Sequence, residues 1–431
     1  LRKKLHWHLN YDESKLIALI EKTEPWQQLY DVLNPKDPII RHRWLFQNTE
    51  VDLPIATRED YELKDRLCEQ WRKSALDEIY QHLGMVGVEH LTLSCGHPFT
   101  VGRCLLATVP DNNVLADWII RNGGDFVLDA PLTSVVCGIV RFMAPEFAGE
   151  FIRSVITMGR ESKWTETQLA GFLRLARDEQ STWDIVEECE TVVQTTYWNK
   201  VNPSPLRRGT EEWNFVLKKL LEADRPRTAL RTCQHDLNNV PPMLLADAMQ
   251  KLAYGLEPDV SMLDSWRLGK IFERLESWEG MDQERLIQLE FIFVRAFHLD
   301  SETKLKALYA AVTSRPEIFA GLICLVYRPE GSERSEEPQN EGKRLAADSA
   351  WNILHYCRRQ PGTRSDGSFD AAECVRFIEE AREICRQHDR STMGDQMLGQ
   401  ILAHAPTGDD GVWPGLPARD ILNRHELEQM R

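Results

Sequence analysis

Few residues of this chain could do chemistry at short spacing, and one pair of soft metal ligands that lies close together is Cys95 and His97. A zinc site needs about four such ligands, and no matching pair stands at a usual spacing elsewhere in the sequence. His6 and His8 lie near the start of the chain, where we interpret them as surface residues. The sequence therefore predicts no metal site and no cofactor.

A short acidic turn, Asp366-Gly-Ser-Phe-Asp370, has the look of a calcium-binding loop. The twelve-residue ligand spacing and the closing glutamate of such loops are missing. We interpret the segment as a turn in which Ser368 or Asp370 caps the helix that follows.

The chain contains none of the local signatures of nucleophilic or phosphate chemistry. It has no Gly-x-Ser-x-Gly elbow, no Gly-x-x-x-x-Gly-Lys-Ser/Thr loop and no papain-like cysteine context. Clustered carboxylates such as Glu187, Glu188 and Glu190 are common on solvated helices. No catalytic residue is predicted, although a site assembled from distant residues would leave no local motif.

Charge and composition limit the classes of partner. The formal net charge is −15 over 431 residues, which argues against a nucleic-acid-binding surface along the whole length. A local basic group remains, and the plainer interpretation of it is solvated helix faces and ends: Arg207, Arg208, Arg225, Arg227 and Arg231. Nucleic acid is therefore not the expected partner.

Cysteine usage and hydropathy indicate a cytoplasmic protein. The ten cysteines include no Cys-x-x-Cys pair, and most lie in apolar helical stripes, as small buried side chains do in a reducing compartment. No apolar run approaches the length of about 18 residues that spans a bilayer, and no cleavable signal peptide is visible. Because the chain begins at Leu1 without a methionine, we expect it to be part of a larger protein.

Nearly every segment with a hydrophobic pattern has the period of an amphipathic helix. From Thr210, a predicted N-cap, five apolar residues follow the i, i+3, i+4, i+7, i+8 stripe of a core-facing helix: Trp213, Val216, Leu217, Leu220 and Leu221. Proline starts further helices, for example at Pro145 and Pro316. The predicted fold class is therefore all-α.

The succession of short helices predicts an α-solenoid-like array of irregular helical hairpins, similar to tetratricopeptide (TPR) or HEAT repeats. The segment Glu222-Ala-Asp-Arg-Pro-Arg-Thr-Ala-Leu-Arg231 resembles the turn and second helix of a tetratricopeptide repeat. The longest helix of the N-terminal third is predicted from about Glu59 to Leu83. Helix spacing is uneven, so no repeat period follows.

One polar, acidic run broken by proline and glycine interrupts the pattern between Arg328 and Lys343. Such a run buries too little apolar surface to offset the entropy of ordering it. The predicted organisation is an N-terminal helical region (1–145), a central helical-hairpin array (146–327), a flexible acidic linker (328–343) and a C-terminal helical unit (344–431).

The 13 tryptophans are the residues whose type best suits either packing or binding. We predict packing between helices for those within helical stripes: Trp183, Trp198, Trp213, Trp266 and Trp278. Trp413, in a loop with Pro414 and Pro417, is the candidate protein-binding residue. Its other interpretation is packing against the C-terminal helices.

Two stretches resemble a known kind of protein. They are Ser314-Arg-Pro-Glu-Ile-Phe-Ala-Gly-Leu-Ile-Cys-Leu-Val-Tyr-Arg328 and Ile401-Leu-Ala-His-Ala-Pro-Thr-Gly-Asp-Asp-Gly-Val-Trp-Pro414, the latter preceded by Ala350-Trp-Asn-Ile-Leu354. They are similar to the helical C-terminal regions of large, uncharacterised bacterial multidomain proteins, some of them of antiphage or other conflict systems. The resemblance covers about the last 120 residues. It implies a helical region that senses a ligand or holds subunits together, and it carries over no catalytic residue.

These observations favour a non-catalytic helical scaffold or sensor that binds a protein partner within a larger bacterial protein. Two alternatives stay open: an enzyme with an unrecognised helical active site, and an oligomerisation region that forms a homo-oligomer. A deep closed pocket with convergent polar groups would favour the enzyme. A large apolar patch that matches itself across a two-fold axis would favour the oligomer.

Overall fold

The fold consists of helices throughout the described part of the chain. A computed structural model describes residues 32–49, 51, 61–122, 124, 126, 130–205, 208–254, 265–297, 304–332, 341–364 and 367–403, with the backbone alone at 61–63. Within these ranges no strand occurs, and the single β-bridge joins Thr363 and Phe369. The helices pack against near neighbours in the sequence, which confirms the predicted all-α, solenoid-like array.

Contacts between residues divide the chain into two units, Leu1–Val201 and Asn202–Arg431. The predicted helix start at Pro145 is confirmed. The domain borders at 145, 327 and 343 stay predictions. Of the predicted acidic linker, residues 333–340 lie outside the described ranges, while Glu341–Lys343 already form the first turn of a helix.

The first unit contains nine α-helices within the described ranges. They are α1 (Pro38–His42), α2 (Tyr61–Ser94), α3 (Pro98–Thr108), α4 (Asn112–Asn122), α5 (Pro131–Phe142), α6 (Pro145–Glu161), α7 (Glu166–Leu173), α8 (Gln180–Glu187) and α9 (Thr191–Lys200). Several pack against the second helix along the chain: α3 against α5, α4 against α6 and α7 against α9.

Helix α2 is broken at Gly84, whose φ of 59° and ψ of −155° lie outside the helical region. A side chain would be strained in that conformation, so a glycine is required there. The break falls directly after Leu83, where the sequence predicted the helix to end. The helical hydrogen-bonding pattern resumes beyond it and runs to Ser94.

Helices α3 and α5 approach each other closely because each carries a glycine at the contact. A Cβ atom at Gly102 would overlap the carbonyl oxygen of Val135, and one at Gly138 would overlap that of Phe99. A larger residue at either position would push the helices apart. This contact fixes the spacing between the end of α5 and the side chains of α3.

A buried arginine holds the turn that precedes α2. Arg72, only 4% exposed, donates to the carbonyl oxygens of Leu45, Asn48 and Thr49 at 2.8–2.9 Å. Burial lowers the pKa of its guanidinium from the usual value. Three carbonyl acceptors explain why a charged side chain is tolerated in this interior.

The second unit contains ten α-helices within the described ranges. They are α10 (Thr210–Glu222), α11 (Pro226–Cys233), α12 (Pro242–Tyr254), α13 (Ser265–Glu276), α14 (Gln283–Phe293), α15 (Lys306–Ser314), α16 (Pro316–Val326), α17 (Glu341–Tyr356), α18 (Ala371–Gln387) and α19 (Ser391–Ala403). Helix α12 contacts α10, α11, α13 and α14, and α16 contacts α15, α17, α18 and α19.

The apolar stripe of α10 is buried as predicted, from Trp213 to Leu221. The predicted cap was wrong by one residue, since the N-cap is Gly209 and Thr210 begins the helix. Asp236 organises this region from inside the unit. Its carboxylate accepts hydrogen bonds from the Trp213 indole at 2.7 Å, the Arg208 backbone at 3.0 Å and the Asn239 amide at 2.9 Å.

Among the described helices, no single one is long and apolar enough to cross a membrane. Helices α15 and α16 together reach the required length and composition, but they bend by 100° between them. Core residues of the second unit lie on both, including Leu308, Val312, Phe319 and Ile323. Core helices commonly meet the same length and hydropathy criteria.

Candidate functional site

A groove of about 680 Å³ in the first unit is a candidate site. Helices α2 and α3 line it from one side, and the corner between α5 and α6 lines it from the other. The corner exists because Met143, at a ψ of 139°, ends α5, and Ala144, at a ψ of 137° before Pro145, starts α6. We call this site the Phe142–Phe147 groove.

The two aromatic residues at the corner are exposed. Phe142, the last residue of α5, is 45% exposed, and Phe147, in the first turn of α6, is 55% exposed. The Phe142 ring meets Phe99 edge-on at a centroid distance of 5.6 Å, which holds it in place. Of the two aromatic residues that line this groove, Phe147 is the more exposed.

Charged side chains rim the aromatic corner. The Arg103 guanidinium lies 5.4 Å from the Phe142 ring centroid and pairs with Glu69 at 3.0 Å. Lys73 is exposed and has no carboxylate partner among the described residues. The groove therefore combines apolar surface with one unneutralised positive charge.

The only thiol in the groove wall is unreactive. Cys104 is 8% exposed, and its burial raises the pKa of the thiol to about 11. Because the thiolate is the nucleophile, the fraction available at neutral pH is negligible. Cys104 therefore supplies no nucleophile to the groove at neutral pH.

The predicted site residue Trp413 lies outside the described ranges, as do His6 and His8, and its role stays a prediction. Cys95 and His97 lie close together, but both form hydrogen bonds with other residues. The two ring nitrogens of His97 contact the hydroxyls of Thr49 and Thr100 at 2.9 Å each, and Cys95 donates to the Thr92 carbonyl. In the described part of the chain, no group of three or more His, Cys, Asp or Glu side chains is placed to hold a metal ion.

Asp370 caps a helix, as the sequence predicted. Its carboxylate accepts from the backbone of Ala372 at 3.0 Å and of Glu373 at 3.1 Å, at the start of α18. Asp366 lies outside the described ranges. These bonds, together with Arg364, lower the pKa of Asp370.

The basic group of the sequence does not form one exposed patch. Arg208 is 7% exposed and lies over the Trp213 ring, with 5.7 Å from its guanidinium carbon to the ring centroid. Arg225 donates to Asn202 and Thr228, and Arg207 lies outside the described ranges. Arg208 is thus occupied inside the unit and cannot reach a phosphate backbone.

The tryptophan predictions divide. Trp183, Trp198 and Trp213 are buried, which confirms packing between helices. The same prediction was wrong for Trp266, which is 64% exposed in the first turn of α13. The packed face of α13 begins at Leu268, two residues further on, and the helical turn therefore directs Trp266 to the opposite side.

A buried carboxyl in the second unit was not foreseen. Glu290 of α14 is fully buried, and its Oε2 accepts from the Leu308 backbone N–H at 2.5 Å. Burial, and to a smaller extent the neighbouring Glu276 carboxylate, raise the pKa of Glu290 to about 8. Glu290 Oε1 has no hydrogen-bond partner among the described residues, and a pKa of about 8 leaves the carboxyl protonated at neutral pH.

This carboxyl pair has a structural function. Glu276 accepts from the Lys306 backbone N–H at 3.2 Å, and Glu290 serves the next donors of the same helix end. The first turn of α15 is therefore capped by side chains of α13 and α14. Leu305, the N-cap residue, has no side-chain acceptor of its own.

Sequence reasoning missed the groove and the carboxyl pair for different reasons. Phe142 and Phe147 have the same periodicity as core residues, and only the α5–α6 corner exposes them. The helical glycines Gly102 and Gly138 were a usable signal, since a glycine inside a helix often marks close packing. Glu290 left no signal, because its partners lie in other helices.

Comparisons with known proteins give no relative: no family model, no curated protein and no solved structure matches the chain.

Proposed function

We propose that the chain is a helical scaffold whose Phe142–Phe147 groove binds an amphipathic segment of a partner protein. The observation that carries the proposal is the pair of exposed phenylalanines at a fixed corner, flanked by charged side chains. Aromatic anchors with a polar rim are typical of protein interfaces. The two rings are the groups that a partner would cover.

Charge selects the kind of segment. Arg103 and Lys73 give two positive charges against the single carboxylate of Glu69. The complementary segment is a short amphipathic helix with one or two large apolar side chains and an acidic residue within a turn of them. Helices that lie in grooves present their anchors at i, i+3 or i+4 and i+7.

The wider setting is part of the same proposal. On the strength of the sequence resemblance, the scaffold belongs to a larger bacterial protein, in the cytoplasm, with antiphage defence as its context. Trp413 is a second anchor candidate in this proposal. Its test is Trp413→Ala, which weakens partner binding if the indole is an anchor and lowers the thermal midpoint instead if it packs internally.

The test of the groove uses a displayed library of amphipathic helical peptides selected on the purified chain. We expect enrichment of peptides with aromatic or leucine anchors and a nearby Asp or Glu. A selected peptide is then titrated by isothermal calorimetry against Phe147→Ala and Lys73→Glu. Phe147→Ala should weaken binding by about 2 kcal/mol, the usual threshold of a hot spot.

The control is Val192→Ser, which removes a 60% exposed apolar side chain from α9 of the same unit, outside the groove. It should leave the affinity unchanged. Lys73→Glu should reverse the charge preference, so that a Lys-substituted version of the peptide binds better than the acidic one. Equal affinity of the wild type and Phe147→Ala for every selected peptide would exclude this groove as the site.

A further inference from the structure

A cleft in the second unit, separate from the groove just described, is lined by three cationic side chains and by one carboxylate, that of Glu276. It has a volume of about 660 Å³ and lies between the N-terminal end of α15 and the loop that joins α17 to α18. Lys306 comes from the helix, and Arg359 and Arg364 come from the loop. The chain carries a net charge of −15, so a cluster of positively charged side chains is a local exception.

Arg359 is the key residue, because the described part of the chain supplies no carboxylate for it. Its Nη2 donates to the Thr363 carbonyl at 3.3 Å, and its Nε is buried without an acceptor. A guanidinium that lines a cleft without a carboxylate partner suits a planar or tetrahedral oxyanion.

The loop holds the arginines in a fixed place. Thr363 and Phe369 form a bridge, Asp370 N donates to Gly362 O at 2.7 Å, and Arg364 N donates to Ser368 O at 2.9 Å. Gly362 has a φ of 80°, and a Cβ there would lie about 2.5 Å from the Asp370 carbonyl oxygen. The turn is therefore closed by the backbone, and the two arginine side chains project from it.

The charges of the cleft leave room for an anion. Lys306 pairs with Glu276 at 3.3 Å and Arg364 with Asp370 at 2.6 Å, which leaves Arg359 as the excess positive charge. The first N–H groups of α15 are already bonded to Glu276 and Glu290, so the helix end itself offers no donor. Recognition must come from the side chains.

We propose that this cleft binds a small phosphate monoester, with the phosphate on Arg359 and within reach of Lys306 and Arg364. Arg359 supplies the unpaired positive charge, and the exposed side chains of Lys306 (63%) and Arg364 (58%) can turn from their carboxylates to a more highly charged phosphate. The volume lies within the range of small-molecule sites, about 300–1,000 Å³, and exceeds a phosphate alone. Leu286 and Ala310 in the lining leave apolar surface for the sugar or base of the ester.

The experiment is calorimetric titration of the full chain with inorganic phosphate, adenosine monophosphate, a hexose monophosphate and succinate. Both esters should bind, and inorganic phosphate should compete with them. A nucleoside or a sugar source is assigned by whichever ester binds more tightly. Absence of binding by both esters, or succinate binding as tightly as they do, overturns the proposal.

The variants place the site. Arg359→Met should weaken ester binding at least tenfold, and Lys306→Met, which alters a side chain 63% exposed, should weaken it without disturbing the fold. Arg386→Met is the control, since it removes an exposed cation of α18 that pairs with Glu383 outside the cleft. Unchanged affinity in Lys306→Met, with circular dichroism as for the wild type, overturns the proposal even if Arg359→Met fails to fold, and so does unchanged affinity in a folded Arg359→Met.

Discussion

The Glu290 carboxyl and the Leu308 backbone N–H are joined by a 2.5 Å hydrogen bond that couples α14 to the first turn of α15. The carboxyl is fully buried, and its pKa is raised to about 8. One buried acid therefore caps a helix while it keeps its proton at neutral pH. This arrangement makes the stability of the second unit depend on pH.

The sign of that dependence follows from proton counts. Below the ordinary glutamate pKa of 4.5, Glu290 is protonated in both the folded and the unfolded chain. Between this value and about 8 only the folded chain holds the proton, so the contribution of Glu290 to stability falls as pH rises. The slope is about 1.4 kcal/mol per pH unit, and above pH 8 the contribution is lost.

Glu290→Gln should remove this slope. The amide oxygen can still accept from Leu308, and no charge has to be buried, so the variant should be more stable at neutral pH by on the order of 2 kcal/mol. Urea unfolding between pH 5 and pH 8.5 measures the free energy of unfolding, which should fall by roughly 1.4 kcal/mol per pH unit in the wild type. Glu284→Gln, an exposed position on the same helix, should keep the wild-type slope. Parallel curves for the wild type and Glu290→Gln would contradict the raised pKa of Glu290.

Substitution of the contact glycines should destabilise the first unit. Gly102→Ala or Gly138→Ala places a Cβ onto a backbone carbonyl of the facing helix, which costs about 1–3 kcal/mol. Gly149→Ala is the matched control, because it lies in α6 with only the Arg153 side chain near. It should be neutral or stabilising by about 1 kcal/mol. Thermal unfolding distinguishes the cases, and a stabilised Gly102→Ala would refute the close contact.

Arg72 should be more important for stability than any exposed ion pair of the same unit. Arg72→Met leaves three carbonyl oxygens without their donor, and we expect a loss of about 2–4 kcal/mol. Arg153→Met breaks an exposed bidentate pair with Glu188 and should cost less than about 1 kcal/mol. Chemical denaturation compares the two variants. An equal cost would mean that the turn at 45–49 does not depend on Arg72.

Asp236 should control the environment of Trp213. Asp236→Ala strands the buried indole N–H and the Arg208 backbone donor, at a cost of about 2–3 kcal/mol. The Trp213→Phe, Asp236→Ala double variant should lose less than the sum of the single changes, because the indole donor is gone. Denaturant unfolding of the four proteins gives the coupling. Strict additivity would show that the 2.7 Å bond contributes nothing.

The sequence predicted those parts of the fold that depend on local patterns. The stripe from Trp213 to Leu221, the proline-led start at Pro145 and the Asp370 cap each depend on residues a few positions apart. Glycine and proline preferences were sufficient there. The misplaced cap at Thr210 shows the limit, since Gly209 adopts the cap conformation without supplying a side-chain acceptor.

The candidate sites depend on residues far apart in the chain, and the sequence did not predict them. Phe142 is apolar at a helical position, and only the turn at Ala144 places it beside Phe147. Glu290 meets Leu308 across 18 positions, and no periodicity links a mid-helix glutamate with the start of another helix. Trp266 was misjudged because composition alone does not tell which face of α13 packs.

The buried cysteines give the protein an internal reporter of its own motions. Cys68, Cys104 and Cys189 lie in the first unit and Cys233, Cys357, Cys374 and Cys385 in the second, all buried as free thiols. A thiol reacts only when solvent reaches it and it ionises, so each stays unlabelled until the segment that buries it opens. Labelling over time, read by mass spectrometry, should therefore rank these segments of each unit by the free energy of their opening, without any introduced probe.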